Sequence, residues 1–150
     1  MLEPTIVTWI LVIFGIVIYL PLKYCQILVI IRPHGQKTKD IAIGKGEDWR
    51  DKTHFRFSYG AAWADWIIQL PLFIAGSIGV LLGQSWGYMI WIAVGAICLY
   101  INFILWFSER EYVYPKWGPL VYYTWYWGFY VYWGLAVIAY GLLRINGLNI

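Results

Sequence analysis

Four long apolar stretches constrain this chain more than any other feature. They run from about Thr5 to Ile31, Phe57 to Leu82, Trp86 to Phe107 and Leu120 to Leu143. A helix needs roughly 20 predominantly apolar residues to cross the hydrocarbon core of a bilayer. Helices can do so because they satisfy their own backbone hydrogen bonds. The sequence therefore predicts an all-α integral membrane protein, with four transmembrane helices in one antiparallel bundle that forms a single domain over residues 1–150.

The composition agrees with a lipid environment. Hydrophobic residues make up 61% of the chain and charged residues 13%, whereas soluble domains have about 45–50% and about 25%. A chain this small has too little interior to hide the excess, so we expect the lipid bilayer to cover much of its surface. The net charge of +3 lies mostly in one loop. This clustered positive charge therefore indicates how the chain is oriented in the membrane. It is not interpreted as a nucleic-acid site, and no nucleic-acid partner is predicted.

The distribution of basic residues predicts that orientation. Loops 32–56 and 108–118 contain nine Lys and Arg residues, whereas the opposite side has only Arg144. Basic residues are enriched in cytoplasmic loops, so we expect both loops in the cytoplasm. Both termini are then expected on the outer side of the membrane, which is the cell membrane or an inner membrane. A loop as polar as 32–56 is expected to be held either by its own helices or by a partner chain.

Two charged residues inside the spans predict an ion pair. Lys23 lies nine residues before Arg32, and Asp65 lies nine residues after Arg56. In antiparallel helices both then sit at one depth, roughly 13 Å from the cytoplasmic ends at about 1.5 Å per residue. Other polar side chains are expected to form a cluster with the pair. At or near its level lie Gln26, Gln69, Asn102, Tyr122 and Tyr126, and Glu109 lies shallower, at the cytoplasmic mouth.

Three interpretations of this cluster remain open. Charged residues within spans are costly and are by default candidates for function, so the cluster could be a binding pocket that opens to the cytoplasm. It could equally be an internal ion pair that fixes the register of the helices. In the third interpretation, Lys23 extends its ammonium group to the interface.

The segment "VYYTWYWGFYVYW", residues 121–133, contains nine aromatic residues. On a helix they cover roughly 220° of the circumference at about 100° per residue, and Tyr and Trp polar groups need partners in hydrocarbon. We therefore expect this helix to contact protein or a planar ligand over most of its surface. Packing within the bundle is the alternative for each individual residue. The residues predicted to face a partner are Tyr123, Trp125, Trp127, Tyr130 and Tyr132.

A stripe of small residues lies in the second span. Ala75, Gly79 and Gly83 recur at four-residue spacing, and "GVLLG" is a GxxxG motif. Small residues let two helix backbones approach closely in lipid. The stripe predicts either packing between the second and third spans or an oligomer contact.

Sequence signatures of metal or cofactor chemistry are lacking. Cys25 and Cys98 lie in apolar runs without metal-binding spacing and are predicted to be small buried hydrophobes. His34 and His54 lie in the polar loop and form no HExxH motif. No metal site, no catalytic set and no cofactor is predicted from this chain alone.

The hydropathy plan resembles that of the glutathione and eicosanoid membrane enzyme superfamily. The segment "AWADWIIQLPLF" is similar to its second-span motif of Asn, Glu and Pro. Aligned on Pro71, Asp65 stands in place of the Asn and Ile68 in place of the Glu. The arginine expected before the fourth span is missing, with Lys116 the nearest cation. The positions that would activate a thiol cofactor are therefore absent, and we do not assign the chain to this superfamily.

Two functional hypotheses arise from these features. The first is a structural or accessory small subunit of a larger membrane complex, such as a respiratory or monooxygenase assembly, with other membrane protein subunits as partners. It depends on the aromatic fourth span and on the absence of a catalytic set. The alternative is a small-molecule binder, carrier or enzyme that uses the Lys23/Asp65 pocket.

Overall fold

The computed structural model describes residues 2–109 and 127–149, apart from the side chains of Ser108 and Glu109. Within these ranges the chain is helical and has no strand. The helices are α1 (Ile6–Ile31), α2 (Gln36–Ala42), α3 (Lys52–Leu81), α4 (Ser85–Glu109) and α5 (Gly128–Ile145). Four of them, α1, α3, α4 and α5, are long and apolar enough to span a membrane. The all-helical prediction with four such helices is thus confirmed.

The start of α3 differs from the predicted span by several residues. Helix α3 begins at Lys52, upstream of the predicted start at Phe57, because the Asp51 carboxylate accepts hydrogen bonds from the Thr53 and His54 backbone amides and caps the helix. These amides, His54 first, hold the pKa of Asp51 below its usual range. The cap is therefore present at neutral pH and is lost as pH falls through that lowered pKa. The predicted start of the fourth span, Leu120, lies outside the described residues.

Glycines set the contact between α3 and α4. A Cβ atom on Gly87 would lie 2.3 Å from the Val80 amide nitrogen, and one on Gly79 would lie 2.6 Å from the Gly87 Cα. The two backbones therefore touch, as small-residue contacts in lipid allow. Gly79 of the predicted stripe thus packs within the α3–α4 pair. The other two members differ: Ala75 is half-buried, and Gly83 has a positive φ of 67° in the connecting turn.

Aromatic residues of α5 fill the space between α1, α3 and α4. The Trp133 indole N–H donates to the Leu11 carbonyl at 2.9 Å, and the Tyr130 hydroxyl donates to the Ile18 carbonyl at 2.7 Å. Tyr19 stacks on Phe73 with ring centres 4.5 Å apart. These contacts satisfy polar groups that would be costly in an apolar interior. This part of the aromatic segment therefore finds its partners within the chain.

Two polar side chains of α5 form hydrogen bonds with the N-terminal segment, at the same end of the molecule as the α3–α4 turn. The Tyr140 hydroxyl lies 2.7 Å from the Thr5 hydroxyl and 2.6 Å from the Thr8 hydroxyl. Arg144 is only 1% exposed, and its guanidinium donates to the Glu3 carbonyl and to the Asn149 side-chain oxygen. Arg144, the only basic residue predicted on the side opposite the two basic loops, is therefore buried and connects the two terminal segments by hydrogen bonds.

The polar loop between α1 and α3 packs largely on itself. The Trp49 indole donates to the Pro33 carbonyl at 2.8 Å, and Lys39 pairs with Asp48 at 2.6 Å. The Phe55 ring lies 5.4 Å from Trp49 and 5.0 Å from His34, between ring centres. Contacts within the chain therefore hold these loop residues in place.

We expect Gly87→Ala to destabilise the protein by about 1–3 kcal/mol, because the added methyl group must push two backbones apart. Unfolding by a denaturing detergent, followed by circular dichroism, would measure the change. Gly60→Ala is the matched control, since a Cβ atom there meets nothing within 4 Å and alanine favours a helix interior. Equal stability of the two variants would contradict the backbone contact.

Candidate functional site

The candidate site is centred on the Lys23 ammonium group, which is buried where α1 crosses α3. It lies 3.6 Å from the Asp65 carboxylate and donates to the Gln26 side-chain oxygen at 2.9 Å. It also lies 3.3 Å from the Asp65 carbonyl and 3.4 Å from the Gln69 side-chain oxygen. An ammonium group has three donors, so these acceptors use its full capacity. The ion pair predicted from the depth of the two residues is present, and Lys23 does not extend to the surface.

The helix geometry of α3 changes at Asp65. Residues Asp65–Gln69 form a π-helical turn between the α-helical segments Lys52–Ala64 and Leu70–Leu81, and the Leu70 amide donates to the Asp65 carbonyl. Pro71 directly follows and has no N–H to continue the α-helical ladder. The wider turn places the Asp65 carbonyl where Lys23 can also reach it. π-Helical turns often occur at functional positions.

The cluster extends from α3 to α4 through the Cys98 thiol. Its sulfur lies 3.1 Å from the Tyr19 hydroxyl and accepts from the Gln69 amide at 3.6 Å. One turn further along α4, the Asn102 amide group donates to the Cys98 carbonyl at 2.6 Å. Asn102 is 7% exposed, and its side-chain oxygen has no hydrogen-bond partner among the described residues. The site therefore contains one buried acceptor that is open.

Five predicted members of the cluster come together in the structure. Lys23, Gln26, Asp65 and Gln69 are hydrogen-bonded or ion-paired directly, and Asn102 is connected to them through Cys98. Three further predicted members lie outside the described part of the chain: the Glu109 side chain, Tyr122 and Tyr126.

The predicted partner-facing residues fall in different environments. Tyr130 is 5% exposed and faces α1, whereas Tyr132 is 49% exposed. Trp127 is half-buried and lies 6.0 Å from Tyr130 between ring centres. The remaining two, Tyr123 and Trp125, lie outside residues 2–109 and 127–149.

Two residues of the site, Tyr19 and Cys98, are not among the members predicted from the sequence. Cys98 is buried, as expected of a small hydrophobe, but its sulfur also bridges Tyr19 and Gln69. Helical spacing could have indicated both, because Tyr19 lies four residues before Lys23 and Cys98 four before Asn102, each on the same helix face. Apart from this spacing, the apolar residues around Cys98 in the sequence do not indicate that its thiol contacts polar groups.

Comparison of the chain with known protein families, curated proteins and solved structures finds no match. The site is therefore interpreted from its own chemistry. It combines a fully coordinated cation, a carboxylate, two glutamines, a thiol and an open amide oxygen. Such a set can receive a hydrogen-bond donor from a molecule that is otherwise apolar, as ligand pockets with few polar groups do.

We expect Asp65→Asn and Lys23→Met each to destabilise the protein by about 3–5 kcal/mol, because each leaves half of a buried ion pair. The double variant should recover much of that loss. Detergent-induced unfolding of the four proteins of this cycle would measure the coupling. Asp48→Asn, which breaks the exposed pair with Lys39, is the control and should change stability little. Near-neutral single variants at Lys23 and Asp65 would contradict the importance of the pair.

Proposed function

We propose that the chain binds a small lipid-soluble molecule through its intramembrane polar cluster. The observation that carries this proposal is the buried Asn102 side-chain oxygen, which has no hydrogen-bond partner in the described part of the chain and lies beside the hydrogen-bonded network. A buried acceptor without a partner costs about 1–3 kcal/mol. A ligand with a hydroxyl or amine donor would remove that cost. Its apolar body would lie among the aromatic and aliphatic side chains of the spans.

The buried ion pair gives further support to a binding role. Well-packed apolar residues usually hold helices together at least as well as a buried ion pair does. Ionisable residues inside a membrane span are by default candidates for function. The π-helical turn at Asp65–Gln69 adds a second feature that is common at functional positions.

The proposed arrangement in the membrane is an antiparallel four-helix bundle with both termini outside. The nine basic residues of loops 32–56 and 108–118 support it, and the site then lies in the cytoplasmic half. A cysteine at Lys45 should be protected from an impermeant maleimide added outside intact cells, while one at Gln84 should be labelled. The unmodified chain is the control for Cys25 and Cys98. The opposite labelling pattern would reverse the orientation.

A second candidate function is the accessory subunit of a larger membrane complex. Tyr100 and Tyr132 favour it, because they are 70% and 49% exposed within the spans and phenol hydroxyls in hydrocarbon need partners. The partner in this case is another membrane protein.

One experiment separates the two functions. The chain is solubilised from its native membrane in mild detergent and its mass is measured by native mass spectrometry. The binding proposal predicts the 17.6 kDa chain or a small homo-oligomer, with an additional small-molecule mass. The subunit hypothesis predicts larger species that contain other polypeptides.

The ligand should depend on Asn102. Asn102→Leu removes the open acceptor at similar size, so the additional mass should be lost while the helical circular dichroism signal is retained. Ser77→Ala is the matched control, since Ser77 contacts Trp91 away from the cluster. A small-molecule mass that persists in Asn102→Leu would contradict the assigned site.

A further inference from the structure

A cleft lies at the junction of α1 and α2, where the first long helix ends. It has a volume of about 430 Å³. The apolar side chains of Leu28 and Ile31 line one wall. The other, polar wall is lined by Arg32, in the turn after α1, and by Lys37, in the first turn of α2. None of these four residues belongs to the Lys23/Asp65 cluster, so a ligand in the cleft would be independent of the function proposed for that cluster.

The polar wall of this cleft is fixed by hydrogen bonds within the chain. Thr38 is buried, and its hydroxyl donates to the Arg32 carbonyl at 2.7 Å. The Gly35 amide donates to the same carbonyl at 3.0 Å. These hydrogen bonds hold the backbone of the turn at Arg32 in place without help from a ligand, and a site whose backbone is preformed loses less free energy on binding than a flexible one.

Two cations stand at the cleft without a carboxylate partner. Within residues 2–109 and 127–149, neither Arg32 nor Lys37 forms an ion pair, whereas the neighbouring Lys39 is paired with Asp48. The Lys37 ammonium lies 5.6 Å from the centre of the Tyr24 ring on α1. This contact holds the exposed cation toward the apolar helix.

An apolar strip leads along α1 to these cations. Tyr24, Leu28 and Ile31 succeed one another at spacings of four and three residues, which places them on one face of the helix. Ile31 is 65% exposed, and the strip runs along a helix that is long and apolar enough to span a membrane. An acyl chain could lie along this strip while its headgroup reaches the cleft.

We propose that this cleft binds the phosphodiester headgroup of an anionic phospholipid. Arg32 and Lys37 would contact the phosphate oxygens, as guanidinium and ammonium groups do in charge-assisted hydrogen bonds. Leu28 and Ile31 would contact the first part of an acyl chain. Basic groups beside a membrane helix attract anionic lipids, and here two of them border a preformed cleft with an apolar strip.

Native mass spectrometry of the delipidated full chain in detergent, titrated with phosphatidylglycerol, tests the proposal. Each cation near the surface contributes about fivefold in affinity, so Arg32→Gln/Lys37→Gln should weaken binding by about 25-fold. Lys45→Gln/Lys52→Gln removes the same charge from two exposed positions that do not line the cleft, one in the loop and one at the start of α3. It should leave the affinity within about twofold of the parent, because the attraction falls off with distance. Equal losses in the two double variants would overturn the cleft assignment in favour of non-specific attraction.

Two further measurements separate a lipid from a free anion. Ile31→Gln keeps the charge and alters only an exposed side chain, so a lipid site predicts weaker phosphatidylglycerol binding. Inorganic phosphate should then fail to displace the lipid, and phosphatidylcholine should bind more weakly than phosphatidylglycerol. Full displacement by inorganic phosphate with no effect of Ile31→Gln would overturn the lipid proposal. If the double variant loses helical signal, Lys37→Gln alone provides the test at an exposed residue, with about a fivefold loss expected.

Discussion

The contact between Lys23 and Asp65 is the constraint on which the rest of this structure depends. A charge in an apolar interior must be matched closely, because desolvation is costly and little water remains to screen it. The Lys23 ammonium meets this requirement with acceptors from both α1 and α3. Sliding either helix by one residue would move the Asp65 and Gln69 acceptors of α3 away from Lys23. The ion pair and its amides therefore fix the register of α1 against α3.

The aromatic core depends on that register. With Lys23 beside Asp65, Tyr19 comes one turn away to face Phe73, and the two rings stack. Trp133 then meets both rings at their edges, with centres 5.7 and 5.6 Å away. Its indole reaches the Leu11 carbonyl at the same time. Helix α5 is thus positioned by hydrogen bonds to backbone carbonyls of α1 as well as by ring contacts.

Much of this could be predicted from the sequence where the signal is local or depends on a simple count. The four long helices follow from continuous apolar runs, and the Lys23–Asp65 pair follows from equal distances to the ends of two helices. The inward position of Tyr130 and its bond to α1 could not be derived in this way. Both depend on which helix faces lie together, and an apolar run carries no periodic signal of its inward face. The π-helical turn Asp65–Gln69 comes just before Pro71, whose missing N–H is the one local sequence feature beside it.

The long helices are held together by different kinds of contact at their two ends. At the α3–α4 turn, Gly79 and Gly87 touch directly, and Arg144 connects the termini by hydrogen bonds to Glu3 and Asn149. The direct backbone contact between Gly79 and Gly87 leaves little room for rearrangement.

At the other end, long side chains make the contacts. Unlike a backbone contact, the side chains of Lys23, Gln26 and Gln69 have several staggered conformations available. The open Asn102 oxygen lies in this adaptable region. A ligand that donates to Asn102 would therefore need only side-chain adjustments in the cluster, while the glycine contacts at the opposite end keep the helix backbones in place.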